Sequence, residues 1–234
     1  MHRAAQVAVL TGAGISAESG LPTFRGAGGL WRTYRAEELA TPQAFTRNPQ
    51  LVWEWYNHRR ERVRSHQPNA GHYALAQLRR FVGELILLTQ CVDGYHQQAG
   101  CVDAIELHGN ILVSRCLKCG KDGEVENWRE GLPYCACGGM QRPGVVWFGE
   151  SLPVTALERA HAAAATCSVF ISIGTSALVY PAAQLPHLAG ARGAYVVEIN
   201  PEETALTPYA DEFLQGPSGE ILPQLIHALE KVSS

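Results

Sequence analysis

Four cysteines crowd between positions 116 and 137, as Cys116-Leu117-Lys118-Cys119 and Cys135-Ala136-Cys137. Two close thiol pairs separated by a short stretch are what a hairpin needs to close a tetrahedral thiolate cage, and zinc ribbons use this spacing. The second pair, C-x-C, is tighter than the usual C-x-x-C but still able to chelate. Four thiolate ligands leave no position for water or substrate, so Cys116, Cys119, Cys135 and Cys137 point to one structural Zn2+. Paired disulfides are the competing reading, and a reducing compartment disfavours them. A nucleic-acid-binding ribbon is disfavoured by the mixed charge of VSRCLKCGKDGEVENWREGLPYCACGGMQR.

Other stretches carry reactive groups without such a plain pattern. TQCVDGYHQQAG, residues 89–100, sets Cys91, Asp93 and His96 close together after an apolar run. Cys91 there reads as a nucleophile, a ligand or a small residue filling a slot. Gly12-Ala13-Gly14-Ile15-Ser16-Ala17 fits G-x-G-x-x-[GA], in which glycines permit a tight turn and close approach of backbone to a phosphate, and the small Ala17 permits helix packing. A plain glycine turn in a protein without nucleotide fits it too. His108, in IELHGN, offers an imidazole for proton transfer near neutral pH, though any one of nine histidines can equally be a surface or capping residue. Tyr56 and Arg59 lie three apart on an expected helix and so share a face. They read either as a phenol and a guanidinium aimed at a carboxylate, or as a packed ring beside a solvated basic run.

The elements that must position these groups follow from the apolar pattern. The chain has 234 residues, 46% apolar and 18% charged, with net charge −3 and pI about 6.3. That gives a full core and no broad basic field for nucleic acid or membrane. No stretch is long and apolar enough to span a bilayer, and the first residues lack signal-peptide anatomy, so a cytoplasmic location is expected. QVAVL (6–10), ELILLTQ (84–90), SVFISIG (168–174) and AYVVEIN (194–200) are short, continuous apolar runs, as in strands buried on both faces of a parallel sheet. Helices are expected between them. Asn69 reads as an N-cap, Thr41-Pro42 as an N-cap followed by proline, and Asn200-Pro201 as the same signal again. The fold class is therefore α/β, a Rossmann-like parallel sheet with a smaller inserted zinc-ribbon and helical domain. A Rossmann-like domain is expected over about 1–35, 70–112 and 143–234. The small domain is expected from a helical insertion at about 36–69 and a ribbon at about 113–142. An ordinary dehydrogenase would place a second strand ending in an acid about 20 residues after the glycines. TFRGAGGLW, polar and glycine-rich, stands there instead and reads as a loop over a bound nucleotide.

In order and spacing, GAGISAESGLPTFRG, TQCVDGYHQQAG, ELHGN, the cysteine pairs, GVVWFGE, GTS and INPE together resemble the sirtuins, the NAD-dependent protein lysine deacylases, over nearly the whole chain. The resemblance implies that NAD and an acyl-lysine peptide meet between two domains. The acyl oxygen attacks the nicotinamide ribose and nicotinamide leaves. A histidine, matched by His108, then acts as general base on a ribose hydroxyl, and the acyl group departs on ADP-ribose as lysine is freed. It implies NAD contacts from Gly12, Ala13, Gly14, Ala17, Glu18, Thr23, Phe24 and Arg25, with Trp31 nearby. It implies further contacts from Gln90, Cys91, Val92 and Asp93, from Gly174, Thr175 and Ser176, from Asn200, Pro201 and Glu202, and from Ser218. Asp93 matches the contact to the nicotinamide amide. Val145, Val146, Phe148, Gly149 and Glu150 match the strip that pairs with substrate peptide by strand addition.

Tyr56 and Arg59, with the small Ala40, match the bacterial class III type, which removes succinyl and malonyl groups. The expected activity is thus deacetylation together with desuccinylation and demalonylation, on acylated-lysine proteins or peptides, with no membrane and no specific nucleic acid as partner. Two rival readings are an ADP-ribosyltransferase on the same scaffold and a non-catalytic zinc-ribbon binding module. Cys101 and Cys167 fit no pattern, and Trp31, Trp53 and Trp55 read as packing residues. Cys91 departs from the family, whose members mostly carry asparagine at that position to help place NAD. A thiol cannot reproduce the two-sided hydrogen bonding of an amide.

Overall fold

A computed structural model of the chain describes residues 6–24, 29–30, 35–124 and 131–233. In chain order these form β1 (Gln6–Thr11), a 3-10 helix (Ala13–Ser19), α1 (Ala36–Leu39), α2 (Pro42–Arg47), α3 (Pro49–Arg64), α4 (Ala70–Leu78), β2 (Glu84–Thr89), α5 (Tyr95–Gln98) and β3 (Ile105–Glu106). There follow β4 (Gly109–Cys116), β5 (Asp122–Glu124), β6 (Gln141–Val145), α6 (Val154–Thr166), β7 (Val169–Ile173), α7 (Leu185–Ala191), β8 (Tyr195–Asn200), β9 (Glu212–Gln215) and α8 (Ser218–Ser233). No helix among the described residues is long and apolar enough to cross a membrane.

The larger sheet has six strands in the order β3-β2-β1-β7-β8-β9, every neighbouring pair parallel. The four apolar runs read from the sequence are its centre, and their near-continuous burial is what two covered faces demand. On one face Leu75 and Leu78 of α4 and Leu222 and Ile226 of α8 pack on Val7, Val9, Ile171 and Ile199. On the other, Ala160 and Ala164 of α6 and Leu185 and Ala189 of α7 cover Ala8, Leu10, Phe170 and Val196. From β1 the chain winds outward to β2 and β3, then returns through α6 to β7 on the opposite side of β1. That reversal opens a crevice at the C-terminal ends of β1 and β7, the usual ligand position in such sheets.

The second sheet is small and antiparallel, in the order β5-β4-β6. It shares a separate core with α1, α2 and α3, built from Leu39, Phe45, Val52, Trp53, Ile111 and Trp147. Thr41 and Asn48 each accept a hydrogen bond at a helix start, from Ala44 N and Leu51 N, and each is followed by proline at the first helical position. Arg60 of α3 is fully buried. Its Nε donates to the Ile111 carbonyl, its Nη2 to the Val113 carbonyl at 3.0 Å, and its guanidinium lies 4.7 Å from the Trp53 ring. The Trp53 indole in turn donates to the Gln141 carbonyl at 3.0 Å. Two side chains of α3 thereby donate three hydrogen bonds to carbonyls of β4 and β6.

Two local expectations differ from the structure. Asn200-Pro201 does not start a helix, because the Asn200 amide donates across to the Thr175 carbonyl at 3.1 Å rather than capping the next turn. The residues after the first glycines form a seven-residue 3-10 helix that ends at Gly20 (φ 86°), and Ala17 on it is exposed, so its small size serves no helix packing. Cys167 ends α6, two residues before β7 begins, and is buried there as a packed thiol.

The sulfurs of Cys116, Cys119, Cys135 and Cys137 all lie within 4.8 Å of one another. The pairs Cys116–Cys137 and Cys119–Cys135 are 3.5 and 3.7 Å apart. Four sulfurs about 2.3 Å from one tetrahedral ion stand roughly 3.8 Å apart, so this donor set fits a single Zn2+. The backbone amides of Lys118 and Cys119 point at the Cys116 sulfur, 3.4 and 3.5 Å away, and favour its thiolate form. Elemental analysis is expected to find one zinc per chain. Chelation is expected to lower Tm by roughly 5–10 °C as the ribbon loses its tie, and Cys135→Ser is expected to do the same. An unchanged Tm after complete removal of zinc would show that the metal does not hold this module.

Candidate functional site

The crevice is built first by backbone. Gly12 N donates to the Ile173 carbonyl and Gly14 N to the Gly174 carbonyl, both at 2.9 Å. A Cβ on Gly14 would stand 2.6 Å from Gly174 Cα, and Gly174 itself has φ 60°, where side chains are strained. The glycines of the first turn therefore serve contact between two turns, β1 to the 3-10 helix and β7 to its loop. Thr175 beyond Gly174 is buried, its hydroxyl 3.1 Å from that of Ser172, and Ser176 is half-buried.

Beside this contact, β2 ends in Thr89 and delivers Gln90 to Asp93. Gln90 N donates to the Thr11 carbonyl at 2.9 Å, continuing the sheet one residue past the strand. Asp93 is buried; its carboxylate accepts from the Ser16 hydroxyl at 2.8 Å and from Tyr95 N at 2.9 Å. Burial pushes its carboxyl above the ordinary value, partly offset by these donors and by Arg59. Val92 is half-buried and its carbonyl accepts from Ile111 N, which ties the segment to β4.

Cys91 is buried in the larger core. Its amide donates to the Thr89 hydroxyl at 3.0 Å, and its sulfur lies 3.9 Å from Ser16 Oγ. Burial, reinforced by the Asp93 charge, pushes the thiol far above its usual range, so it stays protonated. The cysteine is neither a zinc ligand nor poised as a thiolate.

His108 precedes β4 and is half-buried. Its Nδ1 lies 3.2 Å from the Gln90 carbonyl; a carbonyl only accepts, so Nδ1 carries the proton and Nε2 is left with its lone pair. Burial pulls the imidazole below its ordinary value, against the raising effect of that carbonyl. The His108 carbonyl accepts from Val146 N at 2.9 Å, so the histidine also anchors the strip at 145–150. Within that strip Val145 is buried, while Phe148 and Gly149 are exposed. Phe148 N donates to the Ala40 carbonyl at 2.9 Å. The Glu150 carboxylate is occupied internally, by Arg142 and by Trp147 N.

Tyr56 and Arg59 come together as their spacing predicts. The Arg59 guanidinium lies 4.7 Å from the Trp55 ring, 4.9 Å from Phe24 and 5.6 Å from Tyr56. No carboxylate of the described residues forms an ion pair with it. Burial holds Arg59 below its ordinary pKa and raises the Tyr56 phenol to about 12. Buried Ala40 lies in the same small core.

On the far side of the crevice, exposed Glu18 accepts from Ser218 Oγ at 3.3 Å and from Gly219 N at 2.6 Å, an acid at the start of α8. Ala13 and Asn200 are half-buried, Pro201 and Glu202 are exposed, and Thr23 is half-buried near Phe24. Arg25 and Trp31 lie outside the described residues.

Sequence reasoning missed a buried polar layer beneath these groups. Thr11 Oγ1 donates to Thr89 Oγ1 and faces His96 Nε2, each at 2.9 Å. His72 Nε2 lies 3.5 Å from Ser16 Oγ, and Asn69, the cap of α4, holds the Ile15 carbonyl at 2.7 Å. Burial drives His72 to about 4 and His96 to about 3, so both are neutral. The signal available was polar residues inside otherwise apolar stretches, as at Thr11, Thr89 and Ser16.

The Sir2 family model matches residues 12–181. NAD-dependent protein deacylase 2 of Pyrobaculum aerophilum is 52% identical over 228 residues, covering 95% of this chain and 90% of its own length. The NAD-dependent protein deacylase of Aquifex aeolicus is 54% identical over 208 residues, covering 88% and 87%. A solved Sir2 homologue in complex with NAD superimposes with a TM-score of 0.91 at 48% identity, covering 99% of this chain and 91% of that one. The matched region includes the crevice, the cysteine cage and the strip at 145–150, and the chain belongs to the Sir2 family, the sirtuins.

Proposed function

We propose that the chain is an NAD-dependent protein lysine deacylase acting on both acetyl and acidic acyl groups, with nicotinamide, O-acyl-ADP-ribose and free lysine as products. The observation that carries the acidic specificity is Arg59. It is stacked among three aromatic rings and held below its ordinary pKa by burial, and among the described residues no carboxylate forms an ion pair with it, Asp93 acting on it only from a longer distance. A cation so placed is costly unless an anion arrives, and a guanidinium fork suits a terminal carboxylate. The same proposal divides the chain into a nucleotide-binding domain around the larger sheet and a small domain of α1 to α3 with the ribbon, the peptide lying along residues 145–150.

The crevice fits NAD. It opens where strand order reverses, its walls are backbone turns with glycine at the closest approach, and a buried carboxylate, Asp93, stands at its floor. Residues 12–14 and 174–176, Asn200 and Ser218 would hold the dinucleotide, and Asp93 its nicotinamide amide. Once bound, NAD would supply the electrophilic ribose carbon that the acyl oxygen attacks and the ribose hydroxyl that finally carries the acyl group. His108 takes a ribose hydroxyl proton on Nε2, and the Gln90 carbonyl fixes the tautomer that makes this possible.

Turnover of acetyl- and succinyl-lysine peptides, with and without NAD, tests this reading. Both are expected to be consumed only with NAD, and Arg59→Met is expected to lower succinyl kcat/KM by at least about 10-fold. Intact succinyl turnover in that variant would overturn the acidic specificity. ADP-ribose attached to the peptide in place of acyl loss, read by mass spectrometry, would favour a transferase instead.

His108 acts in its neutral form, which dominates above its pKa, and burial lowers that pKa. The acidic limb of kcat/KM is therefore expected below pH 6.5, with activity holding as the pH falls to that value. A limb above it would contradict the assignment. Cys91→Asn is expected to raise the deacylation rate about 2- to 10-fold, the worth of one hydrogen bond regained in a cleft. Equal or lower activity would show a site adapted to the thiol.

A further inference from the structure

Trp147 lies within the strip at 145–150, but its side chain turns into the small core and is 3% exposed. Its indole Nε1 is 3.0 Å from the Tyr56 hydroxyl oxygen. An indole N–H only donates, so the phenol oxygen is the acceptor in this bond and its own hydrogen must be directed elsewhere. The neighbour on the same helix face, Arg59, is a donor with nothing to accept that hydrogen.

The tryptophan is itself held from several sides. The Arg142 guanidinium lies 3.5 Å from its ring centre and Phe45 packs 5.2 Å from it. Arg142 grips Glu150 with both terminal nitrogens and the Val145 carbonyl at 2.9 Å. Glu150 closes the loop by accepting from Trp147 N at 2.8 Å. A rigid chain thus runs from Glu150 through Arg142 and Trp147 to Tyr56.

We propose that Trp147 is a specificity-positioning residue: by donating to Tyr56 it compels the phenol to act as a donor, so that Tyr56 and Arg59 together present donors only, matched to an acyl carboxylate. The inference rests on the acidic-acyl reading above and adds a residue outside the Tyr-Arg pair. Without the indole N–H, the phenol could turn and offer its lone pairs toward the carboxylate, which repels. A neutral acetyl group has no carboxylate to report the difference.

Trp147→Phe keeps a ring against Arg142 and removes the donor. The ratio of succinyl to acetyl kcat/KM is expected to fall about 10-fold, carried by KM for the succinyl peptide with its kcat nearly unchanged. Tyr56→Phe should give a similar fall, and the double variant no more than either single one. A butyryl-to-acetyl ratio, which tests chain length without charge, should not move with it. An unchanged succinyl-to-acetyl ratio in Trp147→Phe, with Arg59→Met still destroying succinyl turnover, would overturn the proposal and leave the acidic-acyl reading standing. Intact succinyl turnover in Arg59→Met would overturn both. Trp147→Met, also lacking a donor, supplies the same reading if the phenylalanine variant does not fold.

Discussion

The site depends on one close contact between backbones. The turn after β1 and the turn after β7 meet at Gly14 and Gly174, and neither position has room for a Cβ. Because β1 and β7 are neighbours across the reversal of strand order, this contact fixes the floor of the crevice. Everything that faces the crevice is then placed relative to it: residues 90–93 through the Thr11 carbonyl, Asp93 through Ser16, and His108 through the Gln90 carbonyl. A shift of the end of β1 and the turn after it would move Gln90 and Asp93 directly, and His108 through Gln90.

Beneath that floor lies a layer of neutral polar groups, Thr11, Thr89, His72 and His96, between core and crevice. Polar groups buried this deeply are costly unless hydrogen-bonded; each of these bonds through at least one atom, and His96 Nδ1 alone in the layer has no partner among the described residues. The two histidines stay uncharged because burial disfavours the cation, so they act here as hydrogen-bonding spacers and not as acids. Cys91 borders this layer and keeps its proton for the same reason.

How much was legible depends on the range of the interaction concerned. The four central strands were legible because two-sided burial leaves a continuous apolar run. The zinc cage was legible because its ligands come in local pairs. β3, two residues long, and β9, an edge strand with the pattern EFLQ, carry too little apolar signal to stand out. Asn200-Pro201 reads locally as a helix start, but a bond to Thr175 prevails. Tyr56 and Arg59 share a helix face that spacing predicts, whereas the bond from Trp147 to Tyr56 spans 91 positions and no local pattern encodes it. The family resemblance supplied roles for crevice residues, and it did not supply the hydrogen-bond order among them.

Helix α3 carries two unlike duties on adjacent residues. Arg59 stacks among Phe24, Trp55 and Tyr56, where the proposed acyl specificity places it, while Arg60, next in sequence, is buried and holds carbonyls of β4. Tyr95 adds a further tie, its hydroxyl donating to the Val63 carbonyl in the last turn at 2.8 Å. Residues 56 and 59 can therefore vary while the bonds at 60 and 63 keep the helix in position. On the proposed reading, acyl preference would change by exchange of residues 56 and 59 against a frame that Arg60 holds fixed.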